Sequence, residues 1–144
     1  TRLLRGRLLV QRAAAARLLP MPAATATPEQ ALPALTAALL PALPLPVALL
    51  GMGADMHTAS LFPGADHLAA ALSSDAPPLM ALRSDAAGEP RLTLTAPVLR
   101  GARHLHILIT GADKHAAVLR AAELSPLQAP VACVLDRATV HWAD

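Results

Sequence analysis

The chain has 144 residues, 54% of them apolar and 15% charged, with a net charge of +2. That size and apolar content suit a single folded domain spanning residues 1–144 and exclude an intrinsically disordered chain. Its only aromatic rings of the Phe, Tyr and Trp type are Phe62 and Trp142, which excludes a module that binds single strands by stacking bases on aromatic platforms, so nucleic acid is not an expected partner.

The small basic excess is unevenly placed: Arg2, Arg5, Arg7, Arg12 and Arg17 all precede the first acid, Glu29. An acid-free, arginine-rich start fits a transit-peptide-like leader, a solvated helix face, or a face that delivers one arginine to an anion. The first residue is Thr, as expected of a chain that continues upstream. Cys133 is the sole cysteine, which excludes an internal disulfide and fits a reducing compartment, with the thiol acting as a small buried hydrophobe. No apolar stretch reaches the roughly 18 residues that a membrane span needs. The richest, Ala31–Leu50, is broken by four prolines. A cytoplasmic protein without a membrane partner is expected.

In chain order, leucines 3, 4, 8 and 9 recur near helical spacing and predict a helix over Arg2–Leu19 that stops at Pro20. Met21–Thr27 reads as a connector. Thr27, Pro28 and Gln30 then have the pattern of an N-cap, a first-turn proline and the third position of a capping box, opening a helix to about Leu40. Pro46–Leu50 is a short apolar run ending in glycine, suited to a strand buried on both faces of a parallel sheet. Leu79–Leu82, His104–Thr110 and Val131–Leu135 look similar, whereas Arg91–Thr95 alternates as an edge strand would. Lys114–Glu123 predicts a helix between the last two long strands, which implies a parallel crossover. The fold class expected is α/β.

The reactive groups cluster directly after Pro46–Leu50. Gly51 and Gly53 allow a sharp turn and close approach to a ligand, and Asp55, His57, Thr58 and Ser60 follow within a few residues. A dinucleotide fingerprint is not completed, because Met56 stands where its third glycine would be. Imidazole ordinarily titrates near neutrality, so His57 suits proton transfer to and from water, with Asp55 fixing its tautomer or holding substrate. Thr58 and Ser60 read either as hydroxyl ligands or as the cap of a helix starting near Ala59.

Two other chemistries fit less well. Ser60 is not in a nucleophile elbow. The pairs Asp55/His57 and His104/His106 lack the third ligand that a hydrolytic zinc site needs, so no metal is expected in the chemistry. His67, His115 and His141 have no motif around them.

The segment Gly51–Gly64, GMGADMHTASLFPG, resembles the signature G-M-G-x-D-G-H-T-A-S-L-F-P-G of the 6-phosphogluconolactonases, in the glucosamine/galactosamine-6-phosphate isomerase superfamily. Met56 is the one departure. Downstream, Arg91–Thr95 resembles the family's R-[IL]-[ST]-L-T strand, Leu108–Lys114 its [VI]-T-G-x-x-K segment, and Val140–Trp142 a common closing sequence. Thr1–Leu3 resembles the tail of an S-N-x-R segment.

The resemblance implies a three-layer αβα fold with a mostly parallel, Rossmann-like sheet, here lacking its leading strands. It implies hydrolysis of 6-phospho-D-glucono-1,5-lactone to 6-phosphogluconate, in the oxidative pentose phosphate pathway, with no cofactor and a phosphorylated sugar lactone as the partner. Carried over by position, His57 is the general base, Asp55 the adjacent acid, and Arg91 and Lys114 the phosphate ligands. Gly51 and Gly53 border the substrate, and Arg2 faces the reacting carboxyl group. Met56 in place of glycine implies strain if its φ is positive, and family members extend further upstream through a glycine-rich phosphate loop, so weak or absent turnover is expected of this chain. Two alternatives stay open: a glucosamine-6-phosphate deaminase or isomerase, and a non-catalytic sugar-phosphate binder. The stretch after His57 lacks the extra acid expected of the deaminases.

Overall fold

The computed structural model describes residues 2–20 and 27–144. Thr1 and all of the expected Met21–Thr27 connector except Thr27 lie outside them. The predicted opening helix is much shorter than its leucine pattern suggests: α1 covers Arg2–Arg7, and a single 3-10 turn follows at Gln11–Ala13. None of these residues is buried. A short helix gains most of its stability from packing an apolar face, and here Leu3 and Leu8 point into solvent.

Helix α2, Pro28–Leu39, starts as expected, with Thr27 extended and Pro28 in the first turn, but no side-chain cap bond forms and the capping box stays open. Pro33 lies inside the helix, where an interior proline costs about 3 kcal/mol or more. Leu35 and Leu39 are buried on its inner face against Leu79. At about 1.5–3 kcal/mol for each buried leucine, they offset the proline.

Two sheets replace the single one expected. Strands β1 (Val47–Leu50), β4 (His104–Thr110) and β5 (Thr139–Ala143) form a parallel sheet in the order β1-β4-β5. Strands β2 (Leu79–Leu82) and β3 (Arg91–Leu94) pair antiparallel as a separate ribbon, so Leu79–Leu82 is not a strand of the parallel sheet. Between them lie the short helices α3 (Leu68–Leu72) and α4 (Ala96–Arg100), and α5 (Ala112–Ala121) follows β4. The α5 helix begins two residues before the predicted start.

Val131–Leu135 is not a strand. Residues Ala132–Leu135 form helix α6, and the strand that completes the parallel crossover is β5, eight residues beyond the predicted start. A five-residue apolar run reads equally as a buried strand or a buried helical turn. Arg100 of α4 decides between them: it donates to the Cys133 carbonyl and grips the Asp136 carboxylate at 2.7 and 2.8 Å, fixing the segment as a turn of helix.

The core lies on one face of the parallel sheet, where Ala48, Leu105, Ile107 and Ile109 meet Leu99, Ala117, Ala121 and Val134. The expectation of a β1 strand buried on both faces therefore fails. Val47 is 57% exposed, Leu49 66% and Leu108 52%, and all three point to the other face. Among the described residues, no helix is long and apolar enough to cross a membrane.

Cys133 is buried beneath α4, and that burial pushes its thiol up to about 11. Only the thiolate attacks alkylating reagents. Iodoacetamide at pH 8 should leave Cys133 essentially unlabelled in the native chain and label it readily in denaturant, with native labelling accelerating only as the pH approaches 11. Equal rates in the two states would show that the α4–α6 contact is not closed in solution.

Candidate active site

The segment after β1 folds back on itself through its own backbone. Gly53 N–H donates to the His57 carbonyl at 3.1 Å and Met56 N–H to the Gly53 carbonyl at 2.9 Å. The Thr58 hydroxyl, fully buried, donates to the Gly51 carbonyl at 2.9 Å. Two outside links pin the loop: Val131 N–H to the Met56 carbonyl at 3.0 Å, and Ser60 N–H to Thr93 Oγ1 at 3.2 Å. No helix starts near Ala59. Thr58 and Ser60 are not helix caps but fasteners of an irregular loop that forms an isolated bridge between Thr58 and Leu61.

Inside this loop Asp55 Oδ1 lies 2.6 Å from His57 Nδ1 and accepts the His57 backbone N–H at 3.3 Å. An ionised carboxylate accepts but cannot donate, so this contact places the ring proton on Nδ1 and leaves the Nε2 lone pair free. Phe62 stacks on the imidazole, with centroids 4.2 Å apart and planes 29° from parallel. The ring is thereby held in plane by Asp55 and on one face by Phe62.

Gly53 is what allows this. A Cβ there would collide with Asp55 Oδ1 and with Nδ1 and Cε1 of His57, so the two side chains lie directly across its bare α-carbon. A Cβ at Gly51 would meet open space; its carbonyl, rather than conformational freedom, is what the loop uses. Met56 has φ of +66°, which meets the condition for strain set by the sequence. A non-glycine residue in this left-handed region costs about 1–2 kcal/mol.

His57 faces a cavity of about 400 Å³ lined also by Leu49, Gly51, Met52, Gly53, Ala59 and Lys114. Of the expected site residues, the fold therefore brings together Asp55, His57, Gly51, Gly53 and Lys114. Arg91 and Arg2 are not in that lining. Arg91 stands on β3, on the strand face shared with Thr93, and its guanidinium lies 3.4 Å from the Glu89 carboxylate. Arg2 sits on the unburied helix α1. Among the described residues no group of three or more His, Cys, Asp or Glu side chains is arranged for a metal ion.

Two contributors escaped the sequence reading. Phe62 was visible only as a motif letter, and Trp142 only as part of a closing tripeptide. Trp142 Nε1 donates to the Gly111 carbonyl at 3.1 Å, Gly111 N–H donates to the Ala143 carbonyl at 2.8 Å, and the indole stacks on His115 at 4.4 Å. Strand β5 thus clamps the Gly111 turn, which enters α5 with φ of +87° and sets Lys114 in the helix's first turn.

A histidine oriented by a carboxylate at the carboxyl end of a parallel strand, with a lysine lining the same cavity, marks an α/β protein with its candidate site at a strand end. The chain belongs to the family described as glucosamine-6-phosphate isomerases/6-phosphogluconolactonase, whose family model matches residues 1–142. A 6-phosphogluconolactonase from Shewanella baltica OS155 is similar at 28% identity and a TM-score of 0.91, over 99% of this chain and 64% of that one. A Neisseria gonorrhoeae FA 1090 protein, provisionally assigned as a 6-phosphogluconolactonase, is 30% identical with a TM-score of 0.85, over 100% of this chain and 65% of that one. The chain thus spans under two thirds of the length of both. A monomeric glucosamine-6-phosphate deaminase, 15% identical with a TM-score of 0.64 over 85% of this chain and 54% of that one, shares the fold. No curated protein matches the chain.

The strain at Met56 can be isolated by comparing two variants that both remove its side chain. Met56→Gly should be more stable than Met56→Ala by about 1 kcal/mol in urea unfolding, because only glycine adopts this φ freely. Equal midpoints would mean that residue 56 leaves the left-handed region in solution.

Proposed function

We propose that the chain carries the lactonase site of this family and hydrolyses 6-phospho-D-glucono-1,5-lactone to 6-phosphogluconate, a cytoplasmic step of the oxidative pentose phosphate pathway. The observation that carries the reading is the 2.6 Å contact between Asp55 and His57 Nδ1 in a cavity shared with Lys114. The two most similar structures described above support it by their names.

In this reading His57 Nε2 takes a proton from water as its oxygen attacks the lactone carbonyl. The Nδ1 proton stays with the ring, and Asp55 stabilises the imidazolium that forms. The tetrahedral oxyanion then collapses, the bond from the carbonyl carbon to the ring oxygen breaks, and Nε2 returns its proton to that oxygen. No proton is gained or lost by the protein over the cycle. Lys114 offers the phosphate a point charge from the cavity wall.

Arg91 joins it if phosphate displaces Glu89. An exposed ion pair of this kind is worth only about 0–1 kcal/mol, so the exchange costs little. Arg2 is assigned the developing oxyanion on the resemblance alone.

The test is acid release from fresh lactone, followed against the spontaneous rate. The unmodified chain should turn over weakly but above that rate, His57→Asn should fall to the spontaneous rate, and Gly53→Ala should lose most of the excess while keeping its fold by circular dichroism. Ammonia release from glucosamine 6-phosphate in place of lactone turnover would transfer the site to the deaminase branch. Saturable binding of 6-phosphogluconate without turnover would leave a sugar-phosphate binder.

A further inference from the structure

The open face of the parallel sheet carries histidines that the site above does not use. Side chains alternate along a strand, so His104 and His106 of β4 share the face opposite buried Leu105 and Ile107. His141 of β5 is in register with Leu108 and stands on that same face. His106 Nδ1 and His141 Nε2 are 3.0 Å apart, with ring centroids 5.1 Å apart and planes tilted by 42°. His141 is exposed and His106 half-buried.

We propose that His106 and His141 chelate a divalent transition ion of the Ni²⁺ or Cu²⁺ type, bridging β4 to β5. Imidazole nitrogens bind such ions at about 2.0–2.1 Å. An ion at that distance from two nitrogens 3.0 Å apart sees them at about 95°. That is the angle between neighbouring ligands in square-planar or octahedral coordination, the geometries of Cu²⁺ and Ni²⁺, and it is narrower than the tetrahedral angle zinc prefers.

The nitrogens already stand at the separation a shared ion requires, and the rings have only to turn their lone pairs from the line between them toward the ion. Water fills the remaining positions on the solvent side. The chemistry expected is structural. Strand β5 is exposed along its whole length, and an ion bonded to both strands ties it to β4, stabilising the native chain by binding it and not the unfolded one.

The buried Cys133 thiol does not compete for the ion, and His57 and His67 serve as controls. Calorimetric titration with Ni²⁺ should show one saturable site per chain, weakened at least about tenfold in both His106→Ala and His141→Ala and unchanged in His57→Ala and His67→Ala. The melting temperature should rise with Ni²⁺ in the unmodified chain and not in the His141→Ala variant. A measurement free of folding artefacts uses the unmutated chain: Ni²⁺ should protect His106 and His141, and not His67, from diethyl pyrocarbonate. Binding unchanged in both variants, protection falling on His57, or no saturable binding would each overturn the proposal.

Discussion

The contact between the Asp55 carboxylate and His57 Nδ1, laid across the bare α-carbon of Gly53, is the constraint around which the site is arranged. It needs three conditions at once: a turn tight enough to bring residues 53 and 57 into backbone contact, no side chain at 53, and a ring that cannot rotate away. The hydrogen bond from Gly53 N–H to the His57 carbonyl meets the first. Stacking on Phe62 meets the third. The same carboxylate oxygen also accepts the His57 backbone N–H, so one acceptor positions both the chain and the ring, and neither can shift without the other.

The loop that holds this contact is irregular, and an irregular loop is ordered only where other elements satisfy its polar groups. Each anchor comes from a different part of the fold. The Gly51 carbonyl at the end of β1 takes the Thr58 hydroxyl, Thr93 on the antiparallel ribbon takes Ser60 N–H, and the Met56 carbonyl takes Val131 N–H from the approach to α6. This last bond bears on the strain at Met56: the left-handed φ aims the carbonyl at Val131, and that anchor together with the packing of Met56 against the core offsets a conformation costing about 1–2 kcal/mol. A glycine would reach the same φ without the cost, but would not pack.

How much of this was legible in the sequence differs by type of signal. The strands Val47–Leu50, Leu79–Leu82, Arg91–Leu94 and His104–Thr110, and helix α2, follow from apolar runs, alternation and a first-turn proline, all local properties. The failures are those where tertiary contacts decide. Val131–Leu135 becomes helical because Arg100 reaches it from α4, and the leucines of the first segment do not extend a helix that has nothing to pack against. Strand β5 has the β-branched and aromatic residues of a strand, yet it is an exposed edge with no apolar run to reveal it. At the candidate site, the nearness of Asp55 to His57 was legible in their spacing, and the family resemblance singled the pair out, but the stacking of Phe62 and the clamp from Trp142 to Gly111 depend on contacts that no local pattern encodes, the second between segments 31 residues apart.

The surroundings of the dyad explain why enclosure matters as much as geometry. The His57 side chain is 29% exposed and that of Asp55 42%, and Leu49 on the cavity wall belongs to the uncovered sheet face. In such a half-open setting water competes for every charge, so a fixed dipole aimed at a developing oxyanion is worth far less than in a closed pocket. Phe62 excludes water from one face of the imidazole only. Whatever covers the cavity therefore strengthens the Asp55–His57 pair by excluding water from it. The loop that orients His57 and the helix that carries Lys114 thus meet at one cavity, where the lysine's charge favours anions over cations.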